Sequence, residues 1–146
     1  MTHELRNPST QYRGRRLPDG CVIERRCGQR WQRLSPLPSL KLRNHSPTGF
    51  EWGYGGSGPS QTALALLLDY WQDRERALKH YMDFKFSTIG GLPDEWELSG
   101  SQIEEAVCRS NAKLLSELQK QAAEAALAIL GEREHRKKTA LEQTPR

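Results

Sequence analysis

The chain has 146 residues, 36% of them hydrophobic and 27% charged, which suits one folded domain with tails and a core of modest size. No apolar run is long enough to span a bilayer and no charged-then-apolar leader opens the chain, so a soluble, cytoplasmic protein is expected. The net charge of +4 is uneven: residues 1–49 carry ten Lys or Arg against three acids, residues 50–100 four against eight, and residues 101–146 eight against seven.

Residues 1–11 are polar and aperiodic and read as a flexible N-terminal tail. A compact domain is expected over residues 12–110. In "QYRGRRLPDGCVIERRCGQRW", Tyr12, Gly14 and Arg16 alternate with Arg13 and Arg15, and "LPDG" is a turn signal before a short β-branched strand. A hairpin follows, with Arg13, Arg15, Arg25 and Arg26 around it. "LSPLPSLKLRNHSPTG" is rich in Pro and Ser and reads as an irregular connection. Phe50 and Trp52 alternate with Glu51 as in a strand. Four glycines in the six residues 53–58 then lead into a helix. Ser57 or Gly58 is the expected cap, Pro59 suits the first turn, and Ala63, Leu64, Leu67, Leu68 and Trp71 share a core-facing side.

Asp73 is the expected cap of a second helix, in which Ala77, Leu78, Tyr81, Met82 and Phe86 repeat at three and four. "STIGGLPDE" ends it, and Trp96–Leu98 is a further short strand candidate. Ser101 and Glu104 match a capping box. From Ile103 to Ile129 apolar residues step by four or three, giving a helical extension over residues 111–131. Gly131 reads as its stop, and residues 132–146 as a charged, frayed tail. The fold class is therefore α+β: a small antiparallel sheet covered by two or three helices, with a long C-terminal helix. The Leu114, Leu118, Ala122, Ala125 and Ile129 seam suggests a weak homodimer through that helix.

Gly53, Gly55 and Gly58 satisfy G-x-G-x-x-G, but no parallel strand with an acid follows, and no Lys-Ser or Lys-Thr follows the last glycine. A dinucleotide fold or P-loop is thus disfavoured. The glycines read as a sharp chain reversal, with positive φ expected at Gly55 and Gly56. They also read as an anion site, with N–H groups of Gly56, Ser57, Gly58 and Gln61 near the positive end of the helix and Trp52 and Tyr54 as stacking surfaces. The two readings are compatible. The histidines, His3, His45, His80 and His135, lack metal-ligand spacing. Cys21, Cys27 and Cys108 match neither a zinc site nor a redox pair and read as reduced thiols. No nucleophile motif is present. Neither catalytic residue, cofactor nor metal is expected.

"YRGRRLPDGCVI", "FEWGYGGSGPSQTALALLLD", "YMDFKFSTIGGLP" and "WELSGSQI" occur in that order. This set resembles a small bacterial and phage domain family of unknown function, whose hallmark is W-G-Y-G-G-S-G-P-x-Q before an apolar helix. The resemblance covers about residues 12–107. It implies no assigned activity, and it implies accessory genes of phages, plasmids and integrated elements, with roles in host takeover or counter-defence. The expected function is accordingly non-enzymatic binding that inhibits or modulates a host protein or nucleoprotein with an acidic surface. The alternatives are a nucleotide-like anionic ligand at the glycine loop, and nucleic-acid binding through the arginine-rich hairpin.

Overall fold

The computed structural model describes residues 7–26 and 28–144. Residues 1–6 of the expected tail, with His3, and also Cys27, lie outside the described residues. The hairpin forms as the turn signal indicates. Strand β1, Gln11–Leu17, and strand β2, Gly20–Arg26, pair antiparallel around Pro18-Asp19. Gly20 takes φ +134°, a conformation that side chains disfavour, which is why a glycine ends this turn. Strand β3, Trp31–Arg33, pairs with β2, and strand β4, Trp96–Ser99, pairs with β1, giving the antiparallel order β3-β2-β1-β4. Tyr12 and Ile23 are buried on the inner face. Gly14 leaves room for the Trp96 ring: a Cβ there would lie 2.3 Å from the indole.

Phe50–Trp52 is not a strand. Both aromatic side chains are buried, yet the Glu51 peptide is satisfied by a helix side chain instead of a sheet ladder. The Thr62 hydroxyl accepts from the Glu51 N–H at 3.1 Å and donates to the Glu51 carbonyl at 2.7 Å. The Pro- and Ser-rich connection contains a short helix, α1, Leu37–Leu42. Pro36 and Pro38 stand at its start, where a missing N–H costs nothing.

Helix α2, Ser57–Trp71, is buried along most of its length. Helix α3, Arg74–Ser87, is capped by Asp73, whose side chain accepts from the Arg76 N–H at 3.0 Å. Its buried positions are Ala77, Tyr81, Phe84 and Lys85, while Met82 and Phe86 are exposed, the reverse of the sequence expectation. A 3-10 turn, Ile89–Gly91, leads to β4. Helix α4, Gly100–Glu142, starts from a reciprocal box made by Ser99 and Gln102, not Ser101 and Glu104: Gln102 N–H donates to Ser99 Oγ at 3.2 Å, and Ser99 N–H to Gln102 Oε1 at 2.8 Å. Glu104 instead accepts from Trp71 Nε1 at 2.8 Å and pairs with Arg76 at 3.1 Å.

The chain divides into two units, Met1–Ser110 and Asn111–Arg146. In the first, α2, α3 and the inner sheet face enclose a core that includes Trp52, Leu64, Leu66, Phe84, Ile89 and Ile103. In the second, helix continues through Gly131 to Glu142, and every described residue from Ala112 to Thr144 is exposed. A mid-helix glycine costs only about 1 kcal/mol, and the good helix formers on both sides carry the helix across it. Among the described residues, no helix is long and apolar enough to cross a membrane.

Candidate binding surfaces

The glycine loop is a folded element. Gly53 has φ +84°, its N–H donates to the Ile89 carbonyl at 3.1 Å, and a Cβ there would lie 3.0 Å from the Leu92 carbonyl oxygen. The left-handed conformation thus falls on Gly53 and not on Gly55 or Gly56. Gly56 caps α2 at φ −92°, and its lack of a side chain admits the Tyr54 ring, 2.3 Å from where a Cβ would stand. Gly58 admits Glu51 in the same way, at 2.4 Å. Gly55 faces open space. Glu51 thus packs its Cβ and Cγ against the first turn of α2. That side chain is paired with Arg16 at 2.8 Å.

Arg16 ties this corner together. It also pairs with Asp94 at 2.9 Å, donates to the Trp52 carbonyl at 2.7 Å, and lies over the Trp52 ring. Trp52 is fully buried, donates from Nε1 to the Pro93 carbonyl at 2.8 Å, and meets Trp96 edge-on at 5.5 Å. Gln61 is fully buried too: its carbonyl oxygen accepts from the His45 and Ser46 N–H groups, and its amide donates to Ser39 Oγ at 2.8 Å. These two residues are interior anchors and present nothing to a ligand at the surface. Tyr54, half exposed, is the loop's outward side chain. Burial, and then Glu51 nearby, pushes the adjacent Cys21 thiol up, away from the reactive thiolate.

The hairpin arginines do not share a face. Arg13, Arg15 and Arg26 stand on the outer side of the sheet. Arg25 is opposite Tyr12 on the inner side and pairs with Asp69 at 3.1 Å, which also accepts the Tyr12 hydroxyl at 2.7 Å. On the outer side, one cross-strand row reads Glu97, Arg13, Glu24, Arg33, with alternating sign. Glu24 accepts from Arg13 at 2.6 Å and Arg15 at 3.0 Å, and the Arg13 hydrogen bond is the main cause holding its carboxyl below the usual range. Arg26 bonds the Gln11 side chain and, with Arg13, stacks on Trp31, the guanidinium carbons 4.8 and 4.2 Å from the ring centroid. Arg13, Arg15, Arg25 and Arg26 are thus each paired or stacked within the domain.

The sequence reading missed a second exposed aromatic beside the loop. Phe86 is 68% exposed, and Lys85 beside it places its ammonium 4.3 Å from the Phe86 ring centroid. Gly90 joins this turn to the loop: a Cβ on it would lie 3.2 Å from the Tyr54 carbonyl and 3.4 Å from the Lys85 carbonyl. The usable signal was the phase of α3, which Lys85 obscured by burying its alkyl stem. A separate groove of about 110 Å³ lies between the segment after β3, α1 and α2, lined by Leu34, Pro38, Ser39, Leu68, Asp69 and Gln72. Among the described residues, no three His, Cys, Asp or Glu side chains are grouped to hold a metal ion.

A family model described as a family of unknown function, DUF6166, matches residues 12–109. No curated protein and no solved structure matches the chain.

Proposed function

The chain belongs to this family of unknown function, and on that premise we propose that it is a non-enzymatic, cytoplasmic binding protein that modulates a host macromolecule by occupying its surface. The carrying observation is the pair of exposed aromatics, Tyr54 and Phe86, on backbone segments that meet at Gly90. Aromatic side chains held on a rigid frame give large contact area at low entropic cost and are common interface anchors. Lys85 beside Phe86 suits a partner with acidic groups around an apolar spot. The groove of about 110 Å³ is well below the roughly 300–1,000 Å³ of small-molecule pockets, which favours recognition at a surface over ligand enclosure. The internal pairing of the sheet arginines likewise favours a protein partner over nucleic acid. A counter-defence role for a phage or mobile-element product fits this mode, since inhibition by occupancy needs surface and no catalytic group. The exposed helix of the second unit adds weak self-association, which would raise avidity for a repeated target.

The test is affinity capture from nuclease-treated bacterial lysate, followed by calorimetry on the partner recovered. Tyr54→Ala and Phe86→Ala are each expected to weaken binding about tenfold or more while leaving the fold intact. Recovery that disappears with nuclease treatment would assign the binding to nucleic acid. Equal affinity for both variants would remove this surface from the reading.

A further inference from the structure

The groove between the segment after β3, α1 and α2 has apolar walls, made by Leu34, Pro38, Ala65 and Leu68. Most of its polar groups are already spent. Ser39 Oγ donates to the Pro36 carbonyl and accepts from the Gln61 amide. Gln72 ends α2 in the left-handed conformation, φ 52°, and its side-chain amide donates to the Asp69 carbonyl at 2.6 Å. Asp69 is the acid that lines the groove. We infer that this groove is a docking pocket for the side chain of a lysine presented by a protein partner.

The first ground is the carboxylate. Tyr12 donates to Asp69 Oδ2 at 2.7 Å, and Arg25 Nε lies 3.1 Å from the same oxygen. Burial, and then Asp69 itself, push the Tyr12 phenol far up, so it stays a donor. These two groups fix the carboxylate through one oxygen. Among the described residues nothing bonds Oδ1, and that oxygen is not sealed in the interior, the Asp69 side chain being 19% exposed. Asp69 therefore brings to the groove a fixed acceptor with its lone pairs unused. A cationic donor makes the stronger, charge-assisted bond there. Arg25 does not forbid a second cation, because its side chain is 41% exposed and water screens its charge.

The second ground is size. The groove measures about 110 Å³, against roughly 150 Å³ for a dry cavity that admits benzene. On that scale it takes about four or five heavy atoms, the methylenes and nitrogen of a lysine side chain. Lysine stems lie along apolar surface while the ammonium reaches a polar group, which matches these walls and this acid. An aromatic side chain is too large, and a carboxylate would meet Asp69 as a like charge. The pocket uses neither Tyr54 nor Phe86, so it stands or falls separately from the surface proposed above.

NMR titration of the purified full chain with Nα-acetyl-lysine methylamide, at constant ionic strength, tests the pocket through the methyl groups of Ala65 and Leu68. The expected result is saturable shifts in the millimolar range, as befits so few contacting atoms. The norleucine analogue, which keeps the stem and lacks the ammonium, should bind about tenfold more weakly, as should the lysine probe to Asp69→Asn. Ala65→Met, which fills the groove and leaves Asp69 in place, should abolish the response, read at Leu68. The inference is overturned if the lysine probe gives no saturable shifts, if lysine and norleucine probes bind alike, or if Ala65→Met responds as the parent does. Tighter binding of n-butylamine than of the lysine probe would assign the pocket to a free amine and overturn the docking role. If Asp69→Asn fails to fold because Tyr12 and Arg25 lose their partner, the lysine and norleucine comparison on the parent chain decides by itself.

Discussion

The two units treat the same kind of side chain in opposite ways. In residues 7–110, Leu64, Leu66, Leu67, Ile89 and Ile103 are at most 1% exposed. In residues 111–142, Leu114, Leu115, Leu118, Leu127, Ile129 and Leu130 are 52–69% exposed, although they too recur at helical spacing. Periodicity therefore reports that a helix forms and which side is apolar, but not that anything covers that side. Helix α2 is covered because α1, α3 and the sheet supply partners within reach of one another in the chain. Intrinsic propensity sustains the later part of α4: Ala, Leu, Glu, Gln and Lys dominate residues 112–130.

The largest expected effect separates the units directly. Trp52→Ala empties the most central aromatic site and removes the hydrogen bond to Pro93, so denaturant unfolding should show a loss of about 3–5 kcal/mol. Leu118→Ala should leave the same transition within about 0.5 kcal/mol of the parent. A loss above about 2 kcal/mol from Leu118→Ala would break the comparison.

Glycine-to-alanine substitutions sharpen it, because the sign should reverse. Gly53→Ala imposes a side chain at φ +84°, 3.0 Å from a carbonyl oxygen, and should cost on the order of 1–2 kcal/mol. Gly131 sits in helix with nothing within 4 Å of a Cβ, so Gly131→Ala should strengthen the second unit's helix by about 1 kcal/mol, read by circular dichroism on heating. Gains at both positions, or losses at both, would contradict the local geometry.

A smaller effect concerns protons. His45 and His80 have folded-state pKa values below the ordinary 6.5, each lowered first by burial and then by nearby cations, Arg43 and Lys85 for the one, Lys79 and Arg76 for the other. A depressed folded pKa means that the unfolded chain binds more protons in the intervening window. The contribution of these groups is therefore complete above pH 6.5 and is lost as pH falls below 6.5 towards the folded values. The melting temperature should decline from pH 7 to pH 5.5, and His45→Asn with His80→Asn should flatten that decline. A wild-type profile flat across this range would refute it.

The smallest signal is self-association through the second unit. Sedimentation at high concentration should show a weak dimer that Leu114→Gln with Leu118→Gln abolishes. A chain that stays monomeric at all concentrations would rule that out.

Much of the fold was legible because local chemistry and tertiary structure agreed. "LPDG" named its turn, alternation in β1 named its faces, and Asp73 named the start of α3. Misreadings came where one feature admitted two causes. Phe50 and Trp52 alternate like a strand, but both are buried, and Thr62 supplies the hydrogen bonds that a neighbouring strand would have made. Strand β3 is three residues long, too short to show a period. The candidate sites were less legible. Trp52, Gln61 and the hairpin arginines were chosen for their chemistry, but what occupies such groups is decided by residues distant in sequence, as Asp69 is for Arg25. Likewise Arg43 and His45 meet the Tyr81 hydroxyl from a segment far away in sequence, with no shared local pattern.

The junction between the sheet and α4 carries one more consequence. The Gly100 N–H donates to the Thr10 carbonyl at 2.8 Å, and Gln11 stands opposite Ser99, so the chain enters the sheet and leaves it side by side. Ten residues of helix from Gly100 to Arg109 rise about 15 Å. A linker of roughly five or six residues would then reconnect that point to the entry strand. A circular permutant closed in this way and reopened at Pro18-Asp19 should therefore keep the same core.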